Sequence, residues 1–200
     1  MADSLAPSAV RPLLSGRFGR DVYLYEEQVP STQRLLQPDH PEGAVAVAEE
    51  QSEGRGRLGR RWHAPARSSV LVSIMLRPEV DPPRLPELSL VMGGAVGQAI
   101  TDVTGLEPAI KFPNDLLLAG KKVAGILAES SDGRVVVGIG VNVNQTADQL
   151  PADAQTEPTS LRLERGERVD RVALLAAILL RVERAYETWR AAATGTSASD

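Results

Sequence analysis

Between Lys111 and Glu129 the chain reads K-F-P-N-D-L-L-L-A-G-K-K-V-A-G-I-L-A-E, and the breaks inside that stretch limit what it can become. Pro113 pushes Phe112 into an extended conformation, so a strand starting near Pro108 ends there. Asn114-Asp115 turns the chain, Leu116 to Leu118 makes a short extended piece, and Ala119-Gly120 turns it again toward Lys121. Val123 to Glu129 then reads as a buried strand, in which Gly125 marks a bulge or a close approach by a ligand. Short strands joined by tight turns are what this spacing permits.

The same stretch holds every lysine of the protein, Lys111, Lys121 and Lys122; all others of its 22 basic residues are arginine. A compact, rotatable ammonium does work that a planar guanidinium does less well, so the cluster marks a candidate polar pocket. An ordinary hairpin carrying solvated lysines is the competing reading.

Two hundred residues suit one domain with a real core. A net charge of −4 argues against a general nucleic-acid binder. The absence of cysteine excludes disulfides, thiolate metal sites and thiol nucleophiles. His40 and His63 are the only imidazoles, and neither has neighbours at metal-ligand spacing, so no metal site is expected. Met1 to Leu5 lacks the basic start of a signal peptide, and the longest apolar run, Val172 to Leu180, is too short to span a bilayer. A soluble, cytoplasmic protein is the expectation.

Residues 1–20, with Pro7, Pro12, Gly16 and Gly19, read as a loosely ordered lead-in containing no helix-turn-helix. Strands are predicted over Asp21 to Glu27, Ala44 to Glu50, Val70 to Leu76 and Arg134 to Asn144. A short helix through Leu36 is expected after Pro30, with a Ser31 or Thr32 hydroxyl accepting from its first amides. Longer helices are expected over Glu87 to Val103 and over Val172 to Trp189, the second capped by Asp170. Thr159-Ser160-Leu161 reads as the approach to a charged turn, Thr146 to Glu157 as a surface loop, and Ala191 to Asp200 as a disordered tail. The domain proper is thus 21–190. Gly138 and Gly140 interrupt an apolar run, either to let something approach the backbone or to turn a barrel corner.

The most unusual composition lies at 54–62, G-R-G-R-L-G-R-R-W, with three glycines and four arginines in nine residues. Such a loop builds no core; its amides and guanidinium groups suit an anion, although a solvated flexible loop has the same composition. Gly54 to Gly59 fits G-x-G-x-x-G, but a dinucleotide fingerprint requires the last glycine to open a helix, and here the chain runs on to a strand. A P-loop would need Lys-Ser/Thr where Arg60-Arg61 stands, and no kinase signature follows.

In their joint order, Ser31-Thr32, Gln51, G-R-G-R-L-G-R-R-W, K-F-P-N-D at 111–115, G-K-K-V-A-G-I-L-A-E at 120–129 and G-I-G-V-N at 138–142 resemble the biotin protein ligases over about Glu26 to Trp189. The resemblance implies an α+β fold, a central mixed sheet flanked by helices, of the class II aminoacyl-tRNA synthetase and biotin–lipoate ligase kind. It implies ATP, with Mg2+, and biotin as substrates, biotinyl-5′-AMP and pyrophosphate as first products, and a lysine of a biotin carboxyl carrier domain as acceptor. Neither DNA nor membrane is implied, and a homodimer is compatible.

By the same resemblance Lys122 and Arg57 would be catalytic, lying between the biotin carboxylate and the α-phosphate. Ser31, Thr32, Gln51, Gly54, Arg55, Gly125 and Gly138 would join them around biotin. Arg60, Trp62, Asn114, Asp115 and Asn142 would line the adenylate side, and Asp115 or a neighbour would orient the incoming lysine. Phe112 stands where the family usually has tryptophan, and Arg67 where glycine is common. The family normally continues into a small C-terminal β-barrel, which is expected to be missing here. A lipoate or octanoate ligase of the same superfamily, and a biotin-binding module without catalysis, are the alternatives.

Overall fold

The computed structural model describes residues 3–80 and 82–193. Its centre is a seven-stranded mixed sheet of β1 (Tyr23–Val29), β2 (Val45–Gln51), β3 (Ser69–Leu76), β4 (Ala109–Lys111), β5 (Asp115–Leu118), β6 (Lys121–Ser131) and β7 (Arg134–Asn142). The spatial order is β1-β2-β3-β7-β6-β5-β4; β1 and β2 run parallel and the other neighbours antiparallel. The helices are α1 (Pro7–Val10), α2 (Thr32–Leu35), α3 (Glu87–Thr104), α4 (Leu161–Arg165) and α5 (Arg171–Ala193).

Strand alternation gives the sheet two chemically different faces. Val70, Val72, Ile74 and Leu76 of β3 and Val135, Val137, Ile139 and Val141 of β7 point into the main core. There they meet Leu88, Met92, Val96 and Ile100 of α3 and the expected stripe Leu175, Ile178, Leu179, Val182, Tyr186 and Trp189 of α5. Full burial of each large apolar side chain stabilises by about 1.5–3 kcal/mol, so this layer holds the fold. The opposite face carries Ser73, Gly138, Gly140 and Asn142, all of which line one cavity. That face is left for function.

Asp170 caps α5 as expected, its Oδ1 accepting from the amides of Val172 at 2.9 Å and Ala173 at 3.1 Å. Other expectations need correction. Ser31 is the N-cap residue of α2 but makes no side-chain capping bond. Thr159-Ser160-Leu161 opens helix α4, with Ser160 Oγ accepting from Leu163 N, because one hydroxyl there satisfies an exposed amide of the first turn.

The segment expected to be a loose lead-in is packed. Leu5, Val10, Leu14 and Phe18 are buried in the main core. Leu5 N donates to Glu49 Oε1 at 2.7 Å, and Tyr23 OH donates to the Leu5 carbonyl at 2.7 Å. Arg171, fully buried, ties Glu49 Oε2 and Asp3 Oδ1 together, each at 2.8 Å. Residues of low periodicity are ordered here by partners far away in sequence. At the other end α5 continues through Ala193, and the remainder of the expected tail lies outside the described residues.

Candidate functional site

The cavity on the open face of the sheet measures about 540 Å³, within the roughly 300–1,000 Å³ of small-molecule sites. Cross-strand register explains its floor. One row runs Asp115 (β5), Gly125 (β6), Gly140 (β7), Leu71 (β3); the next pairs Leu127, Gly138 and Ser73. Small residues in adjacent rows leave a trough where larger ones would fill it.

Lys122 reaches this face through an irregularity. Leu116 pairs with Ala124 but Leu117 pairs with Lys122, so β6 spends two residues where β5 spends one. Bulges of this kind re-aim side chains. Val123 and Ala124 are both buried in the core, and Lys122 joins Gly125 in lining the cavity, three residues away on a strand whose period is two. The Lys122 ammonium lies 2.8 Å from Asp115 Oδ1, with side-chain exposures of 23 % and 14 %. That oxygen has no hydrogen-bond partner beyond this ion pair. The same ammonium sits 5.5 Å from the centroid of the Trp62 ring, in cation–π range.

Trp62 explains glycines that the sequence connects with a ligand. A β-carbon on Gly140 would lie 2.7 Å from the indole, and one on Gly125 3.1 Å from it. Gly54 is similarly tight against the Trp62 carbonyl and accepts from Trp62 N at 2.8 Å. What approaches these backbones is the chain's own indole, whose Nε1 is buried without a partner.

The arginine loop is folded as a narrow hairpin, with an Arg55–Arg61 bridge and Gly56 N donating to the Arg60 carbonyl at 2.7 Å. Arg55 pairs with Glu129, Arg60 donates to Gln155 Oε1, and Arg61 donates to the Ser52 carbonyl. Arg57 is exposed and lines the cavity, and among the described residues its guanidinium has no such partner. It is the loop cation left available to an anion.

The other end of the cavity is uncharged. Thr32 N donates to Gln51 Oε1 at 2.8 Å, and the Thr32 hydroxyl meets Ser73 Oγ at 2.7 Å. Gln33 packs over Gly138 and donates weakly to the Leu127 and Val136 carbonyls. Ser31 lines the same end. Directed neutral donors and acceptors suit a neutral polar ring.

The two asparagines expected on the adenylate side both line the cavity and also make hydrogen bonds within the protein. Asn114 donates from Nδ2 to the Ile126 carbonyl at 3.1 Å. Asn142 accepts from Gln145 and donates to the Thr159 carbonyl, each at 3.0 Å. Arg67, just before β3, holds φ 59° and donates to both oxygens of Glu27. Left-handed backbone of this kind is where glycine is favoured.

Sequence reasoning missed the segment from Pro151 to Pro158 as part of the site. It lines the cavity and gathers the lysines: Lys111 donates to Thr156, Lys121 pairs with Glu157, and Lys122 exchanges backbone bonds with Glu157 and Thr159. Its polar, proline-bearing composition carries no signal of this. The nearby glutamate raises the Lys121 pKa above its ordinary value.

The wall is cationic although the whole chain is not. Arg55, Arg57, Arg60, Arg61 and Lys122 line it, against two lining carboxylates, Asp115 and Asp153. No group of three or more His, Cys, Asp or Glu able to hold a metal occurs among the described residues. A neutral polar end, an apolar tryptophan wall and a cationic end suit a ligand with a polar ring, an apolar tail and an anionic terminus. No helix of the described residues is long and apolar enough to cross a membrane.

Comparison with known proteins agrees with this geometry. Residues 25–145 match the biotin/lipoate A/B protein ligase family. The chain is 38 % identical over 175 residues to the bifunctional ligase/repressor BirA of Bacillus spizizenii, covering 83 % of this chain and 54 % of that one. It is 40 % identical over 155 residues to the biotin–[acetyl-CoA-carboxylase] ligase of Mycobacterium tuberculosis, covering 74 % and 56 %. The chain thus spans about half the length of the curated relatives it matches. The structure of biotin protein ligase from Aquifex aeolicus in complex with biotin and ATP superposes with a TM-score of 0.77 at 33 % identity, over 85 % of this chain and 72 % of that one. The α+β fold, a mixed sheet of the class II aminoacyl-tRNA synthetase and biotin–lipoate ligase kind, is the expected one.

Proposed function

The chain belongs to the biotin/lipoate A/B protein ligase family, and from that premise we propose that it activates biotin with ATP and passes the biotinyl group to a lysine of a carboxyl carrier domain. The carboxylate of biotin attacks the α-phosphorus of ATP, forming biotinyl-5′-AMP and releasing pyrophosphate. The acceptor lysine then attacks the carbonyl of this mixed anhydride and AMP leaves.

The observation that carries the reading is Lys122, whose ammonium lines the cavity beside Asp115 and the Trp62 ring. The first step brings two anions together. Two unit charges about 4 Å apart repel by roughly 4 kcal/mol at an effective dielectric of 20. By the rate relation that is about a thousandfold, so a fixed ammonium and a free guanidinium supply what the reaction needs. Lys122 neutralises the attacking carboxylate and the α-phosphate, and Arg57 joins it. Neither acts as a nucleophile.

At the neutral end, Ser31, Thr32, Gln51 and Gly138 surround the ureido ring of biotin. Trp62 walls the apolar tail and keeps water from the hydrolysable anhydride. Gly54, Arg55 and Gly125 support that wall, and Arg60, Asn114 and Asp115 lie toward the nucleotide. Mg2+ would enter as part of the ATP complex.

Biotin-dependent pyrophosphate release from Mg-ATP tests the reading, with Lys122→Ala as the control. Release is expected from the wild type and a loss on the order of 10²–10³ from the variant, with far less effect on melting temperature. Thermal stabilisation by lipoate and not by biotin would overturn the biotin assignment. Biotin binding with no pyrophosphate release would leave a binding module.

A further inference from the structure

We infer that Arg67 is a positioning residue, whose ion pair with Glu27 fixes the exit of the arginine loop and so keeps the Trp62 ring seated beside Lys122. The inference rests on the proposed function, in which Trp62 walls the site and Lys122 neutralises the reacting anions.

Three non-glycine residues hold a positive φ among the described residues, Ala119, Asp132 and Arg67. Ala119 and Asp132 each precede a glycine in a two-residue connection between antiparallel strands, β5 to β6 and β6 to β7, where the hairpin turn calls for that conformation. Arg67 has no such reason. It is the third residue of the turn from Pro65 to Ser68, closed by Ser68 N donating to the Pro65 carbonyl at 3.3 Å, and glycine is the residue that takes this conformation without strain. A left-handed arginine is unfavourable and persists only where its surroundings over-determine it.

The surroundings act from two strands at once. Arg67 N donates to the Glu49 carbonyl of β2 at 3.2 Å, beyond the last register pair of β2 with β3, Ala48 with Leu71. Arg67 Nη2 donates to both Glu27 oxygens of β1, at 2.8 and 2.9 Å. Tyr25 OH donates to Glu27 Oε1 at 2.7 Å and stands 3.3 Å from Glu49 Oε1. The tyrosine hydroxyl first, and the guanidinium second, hold the Glu27 carboxyl below its ordinary value.

Glu27 falls level with Glu49, because Glu26 pairs with Ala48 and Gln28 with Glu50. Arg171, Glu49, Tyr25, Glu27 and Arg67 therefore form one row of partners, whose Arg171–Glu49 end is fully buried. A lone pair with side-chain exposures of 52 % and 60 % would hold little; at the end of an anchored row it has a fixed place.

The loop is suspended between this exit and its entrance, where Ser52 N and Glu53 N donate to the Val29 and Pro30 carbonyls, each at 2.9 Å. Only His63 to Ala66 separate Trp62 from Arg67, with Ala64 buried and Pro65 restricted in φ. So little slack passes a displacement of the turn on to the indole. Trp62 Nε1 makes no hydrogen bond, so the seat of the ring on Gly125 and Gly140 is set by the path of the chain. Arg67 acts on the reaction only through that path.

Glu27→Gln keeps the shape and removes the charge, and Arg67→Gly removes the guanidinium and relieves the turn. Nuclear magnetic resonance separates the two indole Nε1–H signals, and that of Trp189, which donates to Glu87, is the internal control. Exchange of the Trp62 Nε1–H with water is expected to quicken about threefold to tenfold in either variant, with Trp189 unchanged and melting temperature little moved. The kcat of biotin-dependent pyrophosphate release is expected to fall by about the same factor. The double variant should lose no more than the more affected single one, since both substitutions break one pair.

Unchanged Trp62 exchange in both variants overturns the inference. Additive losses in the double variant do so too, because Arg67 would then act apart from Glu27. Quicker exchange with unaltered kcat, or quicker exchange at both indoles, overturns the positioning role as well. Pyrophosphate release missing from the wild type would instead overturn the proposed function, while the exchange comparison still decides whether Arg67 seats the ring.

Discussion

A β-carbon on Gly140 would lie 2.7 Å from Cε2 of Trp62, closer than packed carbons come. The indole ring occupies the space that a side chain on β7 would take, and Gly125 on β6 makes the same concession at 3.1 Å. The arginine loop is thus seated by its tryptophan, with Lys122 beside the ring.

Gly140→Ala should unseat that ring without harming the strand, where alanine is at least as acceptable as glycine. Tryptophan emission should shift to the red as the indole meets water, and the efficiency of pyrophosphate release should fall about tenfold to a hundredfold. Unchanged emission and unchanged activity would mean that the ring gives way at no consequence.

Asp115→Asn keeps the shape beside Lys122 and removes the charge. The ammonium then loses its tether, and adenylation should fall about tenfold to a hundredfold from misplacement alone. Melting temperature should move little, since partly exposed ion pairs contribute only about 0–1 kcal/mol. A large loss of stability with little change in rate would make this pair structural. Single-turnover transfer to an acceptor, begun from preformed adenylate, separates any additional role of Asp115 in orienting the attacking lysine.

Arg171→Met leaves Glu49 buried and uncompensated. Both side chains have 0 % exposure, and removing one partner of such a pair typically costs about 3–5 kcal/mol. Urea unfolding should report a loss of this order. Adding Glu49→Leu should recover part of it, and failure to recover any would locate the cost in the other bonds that Arg171 makes to Asp3 and the Ser69 carbonyl.

Acid should weaken the polar contacts of the helical layer. The Arg181 guanidinium holds the Asp102 carboxyl below its ordinary value, and Arg84 with the Trp189 indole does the same for Glu87. A depressed folded value means that the contribution is present above the ordinary carboxylate range and is lost as pH falls below roughly 4. Melting temperature followed through that range should drop less steeply in Asp102→Asn than in the wild type. Parallel slopes would exclude the α3–α5 contact as a source of the acid sensitivity.

Much of this was legible beforehand. The strands and both long helices follow from period and capping, with Asp170 at the start of α5, and Ser31-Thr32, Gln51, the arginine loop, Lys122 and Gly138 do meet around one cavity. The segment at Pro151 to Pro158 was not legible, because its polar composition is that of any surface loop. Residues 3–20 were not legible either, because Leu5, Val10, Leu14 and Phe18 are spaced too irregularly to signal a packed face. Asn142 was placed correctly in the cavity wall, yet its amide turns to Gln145 and Thr159, partners that spacing does not reveal.

Local propensity and hydrophobic period act over a few residues, and they set the elements, their order and the kinds of charge available. Tertiary structure decided which of those residues share a face. Strict alternation would put Val123 beside Gly125 and send Lys122 into the core; the shift of register against β5 reverses this, burying Val123 and turning the ammonium toward Asp115. A one-residue offset between two strands is a property of their pairing, set by what packs on either side of the sheet, and no single stretch of chain contains it.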